Sequence, residues 1–527
     1  MTMPRFFSRV ADAIGPVAHL DTTELAAHLD TVTVAINLDG DEDLDVAHRG
    51  AALLAVNLAA RLYPHLHLSG QSSWKTEASA LARAINPSVS LDEQGPRRTV
   101  VLRIAGATLE PSAPPAGVTA QPADTITVAA SGWNAHVDPD SSTDLGCGAH
   151  PLAAAAAACL GMAEVFRVVF CDALTDRGRR GPQPGSLSIV TCGDAEDLPL
   201  PTGTLELPPV TLIGAGAVGQ ACLWALTHTD VSMALTIVDP QTVALSNLQR
   251  YVLTTDTDVD AYKTDLAIRA ADGSGITVLP VPTEWGKDDR SGPGAAIVLT
   301  ALDSAADRID VAAGLAEQVY NAWTQPADTG WSRHENFGTE PCLACLYYPD
   351  RPRPSEHELI AAALTQHPLR VLTYLVSSVP VGLALPIISA VPDLPIPPEA
   401  SLWRQRPLLA DLIQAGFIQP EHADSWANKT IGQLYRDGVC AGGLLRLPDE
   451  AAPEEALVPL AHQSALAGIM MAADLLIAHE PALRPVRRPT IEGRFNVLAG
   501  FPQVIGRPRQ RTARCLCSDP FYVSATA

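Results

Sequence analysis

Residues 210–263 read VTLIGAGAVGQACLWALTHTDVSMALTIVDPQTVALSNLQRYVLTTDTDVDAYK, and the order of features within them decides the fold. An apolar run, Val210–Ile213, leads into glycines at 214, 216 and 219. A helix-forming stretch then reaches about Leu226, and a second apolar run, residues 234–238, ends at Asp239. Strand, G-x-G-x-x-G turn, helix, strand and acid describe a parallel α/β unit that takes a nucleotide at the carboxyl ends of its strands. Gly214, Gly216 and Gly219 let the backbone approach a phosphate. The helix behind them offers unpaired N–H groups and the positive end of its dipole. Asp239 stands where a carboxylate accepts hydrogen bonds from ribose hydroxyls.

The residues after the acid narrow the chemistry. Ser246-Asn247-Leu248-Gln249-Arg250 comes next, and Lys263 lies thirteen residues past Arg250. Hydride transfer does not need an amide, a guanidinium and an ammonium at the phosphate end. Attack of a carboxylate on the α-phosphorus of ATP does, because negative charge builds there. Farther on, the apolar run 295–302 ends in Asp303, an acid suited to hold Mg²⁺ through oxygen ligands.

The glycine turn, the acid, the SNLQR run, the lysine and the later strand-end Asp resemble the adenylation domain of the ubiquitin-activating superfamily. That group includes the adenylyltransferases that act on sulfur-carrier proteins. The resemblance covers residues 208–517 and implies a role for each motif. Gly214, Gly216 and Gly219 place the phosphates of ATP, and Asp239 binds the ribose. Asn247, Arg250 and Lys263 bind the triphosphate, and Asp303 holds Mg²⁺. The carrier's C-terminal carboxylate becomes an acyl-adenylate. Members also use an arginine from the other half or protomer, for which Arg5 and Arg9 are the candidates here.

Two thiol pairs, Cys342-Leu343-Ala344-Cys345 and Cys515-Leu516-Cys517, fall where the family carries two C-x-x-C pairs. Four thiolates would make a structural zinc site. The second pair is C-x-C, a departure that strains a shared tetrahedron, and the other reading is two unmetallated pairs. Family members that pass the carrier onward carry a catalytic cysteine in a domain inserted after the first pair. Cys440, in Val439-Cys440-Ala441-Gly442-Gly443, is the insert's cysteine. It would form a thioester and hand the carrier to a conjugating enzyme; alternatively it is a buried structural thiol.

Composition sets the outer bounds. A chain of 527 residues exceeds one core, so several domains are expected. The net charge, 36 − 58 = −22, disfavours a nucleic-acid surface. Residues 1–15 contain no signal-like apolar run, and ten cysteines without one indicate a reducing, cytoplasmic setting. The longest apolar stretch, residues 371–391, reaches membrane-spanning length but is interrupted by Pro380 and Pro386. A buried helix pair bent at proline is the expected form.

The domains expected are an α/β domain over 1–200, the first part of the adenylation domain over 208–345, a mostly helical insert over 346–456, and the closing part over 457–527. In the first domain, residues 31–38, 99–104, 125–130 and 186–191 read as strands, and 45–62 and 151–170 as helices. It is either a degenerate copy of the adenylation fold or an unrelated accessory domain. The segment 324–340, TQPADTGWSRHENFGTE, reads as irregular and corresponds to the loop under which a carrier's tail passes. Residues 425–437 read as one helix, and 457–479 as an apolar helix that packs beside the site.

The fold class is thus α/β, a Rossmann-like adenylation domain with a helical insert. The partners implied are a ubiquitin-like or sulfur-carrier protein and a conjugating enzyme, without nucleic acid or membrane. A homodimer is compatible with this layout. The layout resembles bacterial ubiquitin-like conjugation systems, some linked to phage defence. The rivals are a sulfur-carrier or peptide adenylyltransferase with no thioester step, a nicotinamide-dependent oxidoreductase, and an inactive scaffold.

Overall fold

A computed structural model describes residues 3–38, 46–70, 72–91, 97–105, 124–139, 148–174, 183–288, 294–325, 328–347, 356–385, 400–435, 458–486, 492–495, 505–507 and 510–525. The chain divides into two compact units, residues 1–348 with 456–527, and residues 349–455.

The larger unit holds two sheets. The first is built from α1 (Phe7–Ala18), α2 (Thr22–Asp30), β1 (Val32–Leu38), α3 (Val46–Ala60), β2 (His65–Ser69), α4 (Ser72–Ile85), β3 (Ser90–Leu91), β4 (Arg98–Ile104), β5 (Thr125–Ser131), β6 (Asn134–Val137), α5 (Pro151–Val169) and β7 (Gly185–Ser188). Its strand order is β3-β2-β1-β4-β5-β6-β7. The first five strands are parallel, and β6 and β7 run antiparallel to their neighbours. Val34, Ala35 and Ile36 of β1 and Val100, Val101 and Leu102 of β4 are all buried, successive side chains facing opposite sides, as befits a parallel sheet covered on both faces.

The second sheet comprises β8 (Leu205–Glu206), β9 (Val210–Ile213), α6 (Ala217–Thr227), β10 (Val231–Val238), α7 (Lys263–Ala271), β11 (Ile276–Val281), β12 (Ile297–Thr300), α8 (Ala305–Ala312), β13 (Gln318–Gln325) and β14 (Asp328–His334), followed by α9 (Leu343–Tyr347). Its main order is β11-β10-β9-β12-β13-β14-β15-β16, with the last two strands, β15 (Glu492–Phe495) and β16 (Ile505–Arg507), supplied after the insert. Again the first five strands of that order are parallel, β8 pairs parallel with β10 off the main path, and the remaining strands are antiparallel to their neighbours. The segment 324–340 is therefore not irregular throughout. Asp328–His334 is a strand paired along its length with β13. Several of its polar residues are buried and paired: Ser332 Oγ accepts from Asn321 Nδ2 at 3.0 Å, and Arg333 meets Asp474 at 3.1 Å. Hydropathy cannot disclose such a strand.

The smaller unit is helical: α10 (Glu356–Ala363), α11 (Pro368–Ser377), α12 (Ala400–Trp403), α13 (Leu408–Gln414), α14 (Ala423–Ala427) and α15 (Ile431–Tyr435). Ile360, Val371, Tyr374, Leu412 and Leu434 form its core. Of the 371–391 run, residues 371–377 belong to α11, and among the described residues 378–385 no second helix follows to make a bent pair. Ser378 takes a left-handed conformation (φ 52°) that ends α11 before Pro380. Residues 425–437 are not one helix either. Thr430 starts a new one, its hydroxyl accepting from Gln433 N at 3.3 Å. Cys440 lies outside the described residues.

The larger unit resumes with α16 (Ala461–His479), β15 (Glu492–Phe495), β16 (Ile505–Arg507) and α17 (Pro520–Ala525). Helices α5 and α16 are the two described helices long and apolar enough to cross a membrane, and both are wholly buried. They pack on each other between the two sheets, and one apolar core runs through both halves. The small residues of α16 have a steric cause. A Cβ on Gly468 would meet Val218 O at 2.5 Å and Cys222 N at 2.6 Å on α6.

Candidate functional site

The glycine turn between β9 and α6 is held by backbone geometry. Gly214 has φ 93°, and a Cβ there would lie 2.8 Å from Ala301 O, just past β12. A Cβ on Gly219 would lie 1.9 Å from Gly214 O, so α6 can close on the turn only with glycine there. Gly216 is the residue before the helix and has room around it, with the Tyr251 hydroxyl at 3.6 Å from a Cβ position. Gln220 Nε2 donates to Ala215 O at 3.2 Å, and its Oε1 accepts from Leu253 N at 3.2 Å. One side chain thus ties the turn to the segment just past SNLQR.

Asp239 is buried at the end of β10. Its carboxylate accepts from Ala215 N and Gln241 N, both at 2.8 Å. Lys263, at the start of α7 and 3% exposed, brings Nζ to 3.9 Å from Asp239 Oδ2. The ammonium donates to Gln241 Oε1 at 2.7 Å and lies 3.4 Å from the Tyr251 hydroxyl. The Tyr251 ring has Lys263 Nζ 5.2 Å from its centroid and Arg250 Cζ at 5.7 Å. Burial lowers the Arg250 pKa from its ordinary value, and the Arg9 charge adds to that, while Tyr251 and Asp303 oppose it. Asp303 is exposed, two residues past Ala301. Burial first, and then the fields of Asp303, Asp310 and Glu284, raise the Asp307 carboxyl.

The fold therefore brings together the glycines, Asp239, Lys263, Arg250 and Asp303. Asn247 is engaged locally: its Oδ1 accepts from Ala244 N at 2.9 Å, capping the short helical turn Leu245–Gln249. Arg5 pairs with Asp256 at 3.0 Å, beyond that turn, and Arg9 is close enough to Arg250 to lower its pKa.

Four contributors escape a reading by motif. Tyr251 and Gln220 lie within residues 210–263 but carry no recognised spacing. Asn57 and Arg61, at the end of α3, come from the first half. Arg61 is fully buried, and its Nη1 donates to Leu248 O at 2.5 Å and its Nη2 to Thr254 O at 2.9 Å. Asn57 Nδ2 donates to Val252 O at 2.8 Å. Pairings between residues so far apart in sequence leave no local signal.

The second cluster is Cys342, Cys345, Cys515 and Cys517, all buried, with sulfurs within 4.8 Å of one another. A tetrahedron of thiolates about 2.3 Å from a zinc ion has edges of roughly 3.8 Å, so the spacing fits. The single residue between Cys515 and Cys517 is accommodated by the turn Leu516–Ser518, and Thr512 N points at Cys345 Sγ from 3.5 Å. Hydrogen bonding between two of the thiols raises the Cys342 pKa and lowers that of Cys345.

Comparison with known proteins gives two family matches. Residues 204–518 match the model described as ThiF family, and residues 40–171 match the one described as prokaryotic E2 family C. The uncharacterized protein y4jF of Sinorhizobium fredii (strain NBRC 101917 / NGR234) is 32% identical over 497 residues, spanning 90% of this chain and 86% of that protein. Among solved structures, E. coli MccB with ATP has 13% identity and a TM-score of 0.34, covering 60% of this chain and 68% of MccB. The microcin C7 biosynthetic enzyme MccB in complex with N-formylated MccA has 13% identity and a TM-score of 0.34, over 59% of this chain and 67% of that one.

Proposed function

We propose, from the premise that this chain belongs to the ThiF family and carries its E1-like adenylyltransferase domain over residues 204–518, that it activates the C-terminal carboxylate of a ubiquitin-like protein. The observation that carries this reading is the pairing of a buried ammonium, Lys263, with a half-buried guanidinium, Arg250, around Tyr251 beside the glycine turn, with Asp303 in the field of Arg250. In this reading a carboxylate oxygen attacks the α-phosphorus of ATP. The bond from that phosphorus to the α,β-bridging oxygen breaks, and pyrophosphate leaves with the electron pair. The turn N–H groups and the two cations stabilise the charge that builds on the phosphoryl oxygens. Asp239 orders the turn through Ala215 N and accepts from the ribose. Asp303 would hold Mg²⁺, which lowers the charge of the leaving group.

The four-cysteine cluster would hold Zn²⁺ as a structural tie between α9 and the last described turn, and metal analysis of the purified chain should give one zinc. Cys440 would take the acyl group as a thioester, and the setting would be cytoplasmic. The rival without a thioester, a peptide or sulfur-carrier adenylyltransferase, shares every step up to the adenylate.

We read the first half as a degenerate copy of the second, on its matching strand order. The match of residues 40–171 to a prokaryotic E2 model favours a second reading, a conjugating module fused in cis, which would relieve the need for a separate conjugating enzyme. The experiment is exchange of labelled pyrophosphate into ATP, with small glycine-terminated proteins encoded beside the gene as acceptors. Exchange that survives Cys440→Ser, with loss of a reducible carrier adduct, supports the full scheme. Exchange without any adduct in the parent chain supports the rival. No exchange with any acceptor overturns both.

A further inference from the structure

We propose that Asn57 and Arg61 of the first half are positioning residues for the adenylation site, so that the site is incomplete without that half. This rests on the adenylation reading. The two side chains are four residues apart near the end of α3, one turn of helix, and Arg61 Nε donates to Asn57 Oδ1 at 2.9 Å. As a joined pair they bind Leu248 O, Val252 O and Thr254 O, and Arg61 Nη1 also reaches Thr254 Oγ1 at 3.3 Å. These acceptors bracket Arg250 and Tyr251. With its backbone carbonyls held by α3, and with Leu253 N held by Gln220 from the other side, the segment has little freedom to turn.

A buried guanidinium is costly unless it is fully hydrogen-bonded. Burial pushes the Arg61 pKa down to about 9, with Asp258 opposing the shift. Asp258 is itself paired with Arg269 on α7 at 2.7 Å. An apolar side chain would cement two halves at less cost. A planar guanidinium adds direction, since its rigid fork donates to the carbonyls of Leu248 and Thr254 at once. Two charged contacts flank the same segment, Arg5 with Asp256 and Arg269 with Asp258. The result is a loop whose side-chain face carries Arg250 and Tyr251 toward Lys263 while its backbone face is anchored in the first half.

The test uses the full chain with Arg61→Ala, Arg61→Lys and Asn57→Ala, read by hydrogen exchange at residues 248–254 and by ATP–pyrophosphate exchange. The expected result is at least tenfold faster amide exchange confined to that segment. A fall of tenfold or more in kcat should accompany it, with KM for ATP changed less than threefold. Arg61→Lys should recover part of both, since an ammonium keeps the charge and loses the fork. If Arg61→Ala fails to fold, Asn57→Ala and Arg61→Lys carry the comparison. Segment amides that exchange as in the parent, in folded variants, overturn the proposal. So does faster exchange of the segment with kcat unchanged. A parent chain inactive in pyrophosphate exchange overturns the functional reading instead, and the amide result then still decides the anchoring.

Discussion

The two sheets of this chain run in the same order and end differently. Strands β1 to β7 correspond in sequence order, neighbours and direction to β9, β10, β11, β12, β13, β14 and β15. Helices correspond as well: α3 follows the central strand as α6 does, and α5 precedes β7 as α16 precedes β15. The difference lies at the carboxyl end of the second strand. In the second half β10 is followed by Asp239, whose carboxylate holds the glycine turn. In the first half β2 is followed by Gly70 (φ 131°), and the Trp74 indole fills the space beside it, 2.3 Å from where a Cβ would be. One strand end carries a buried carboxylate bonded to the turn, and the other a glycine packed against an indole. A shared scaffold thus sets where a site can be, and a handful of side chains at strand ends decides whether one exists.

The largest effects expected from this contrast are catalytic. Lys263→Met or Arg250→Ala should reduce pyrophosphate exchange roughly 10²–10³-fold, the usual loss for one preorganised charge-stabilising group. Ser69→Ala, at the matching strand end of the first half, should leave the rate within about twofold. Equal losses in both halves would break the comparison.

Next come the two interior glycines of α5 and α16. Gly468→Ala drives a methyl into the backbone of α6, and about 1–3 kcal/mol of overpacking cost is expected in the melting curve. Gly161→Ala meets only the side-chain ends of Leu102 and Val128, each at 2.7 Å, and should cost less because those ends can rotate. A reversed order would mean that α6 and α16 have more room between them than their glycine contact implies.

The smallest effect is a pH slope shared by the halves. Burial pushes both His150 and His462 down to about 3, with Arg167 adding to the shift at His462. The unfolded chain binds these protons near pH 6.5 and the folded one does not, so stability is complete above that pH and falls as the solution is acidified toward 3. At about pH 5.5 each should cost roughly 1 kcal/mol. His462→Gln should flatten the slope of melting temperature between about pH 7 and 5, and an unchanged slope would contradict it.

Much of this molecule can be read from its residues, and the two larger exceptions share a cause. The turn from Gly214 to Gly219 and the acid after β10 are legible because backbone approach and strand-end placement demand particular residues at fixed spacing. Helices α5 and α16 are legible because they are apolar all round, which means burial. Strand β14 is not, because Thr329, Ser332, Arg333 and His334 are buried polar residues, and partners distant in sequence satisfy those that bond. Arg61 is hidden for the same reason: an arginine after an apolar helix reads as a solvated end until Leu248 and Thr254 are found against it. The breaks at Ser378 and Thr430 are local turns that periodicity smooths over.

The most direct measurement is the stoichiometry of Mg-ATP binding to the full chain by calorimetry, alongside NAD. One ATP site per chain is expected, lost in Lys263→Met and kept in Ser69→Ala, with NAD silent. Two sites per chain, binding unchanged by Lys263→Met, or a preference for NAD would contradict it.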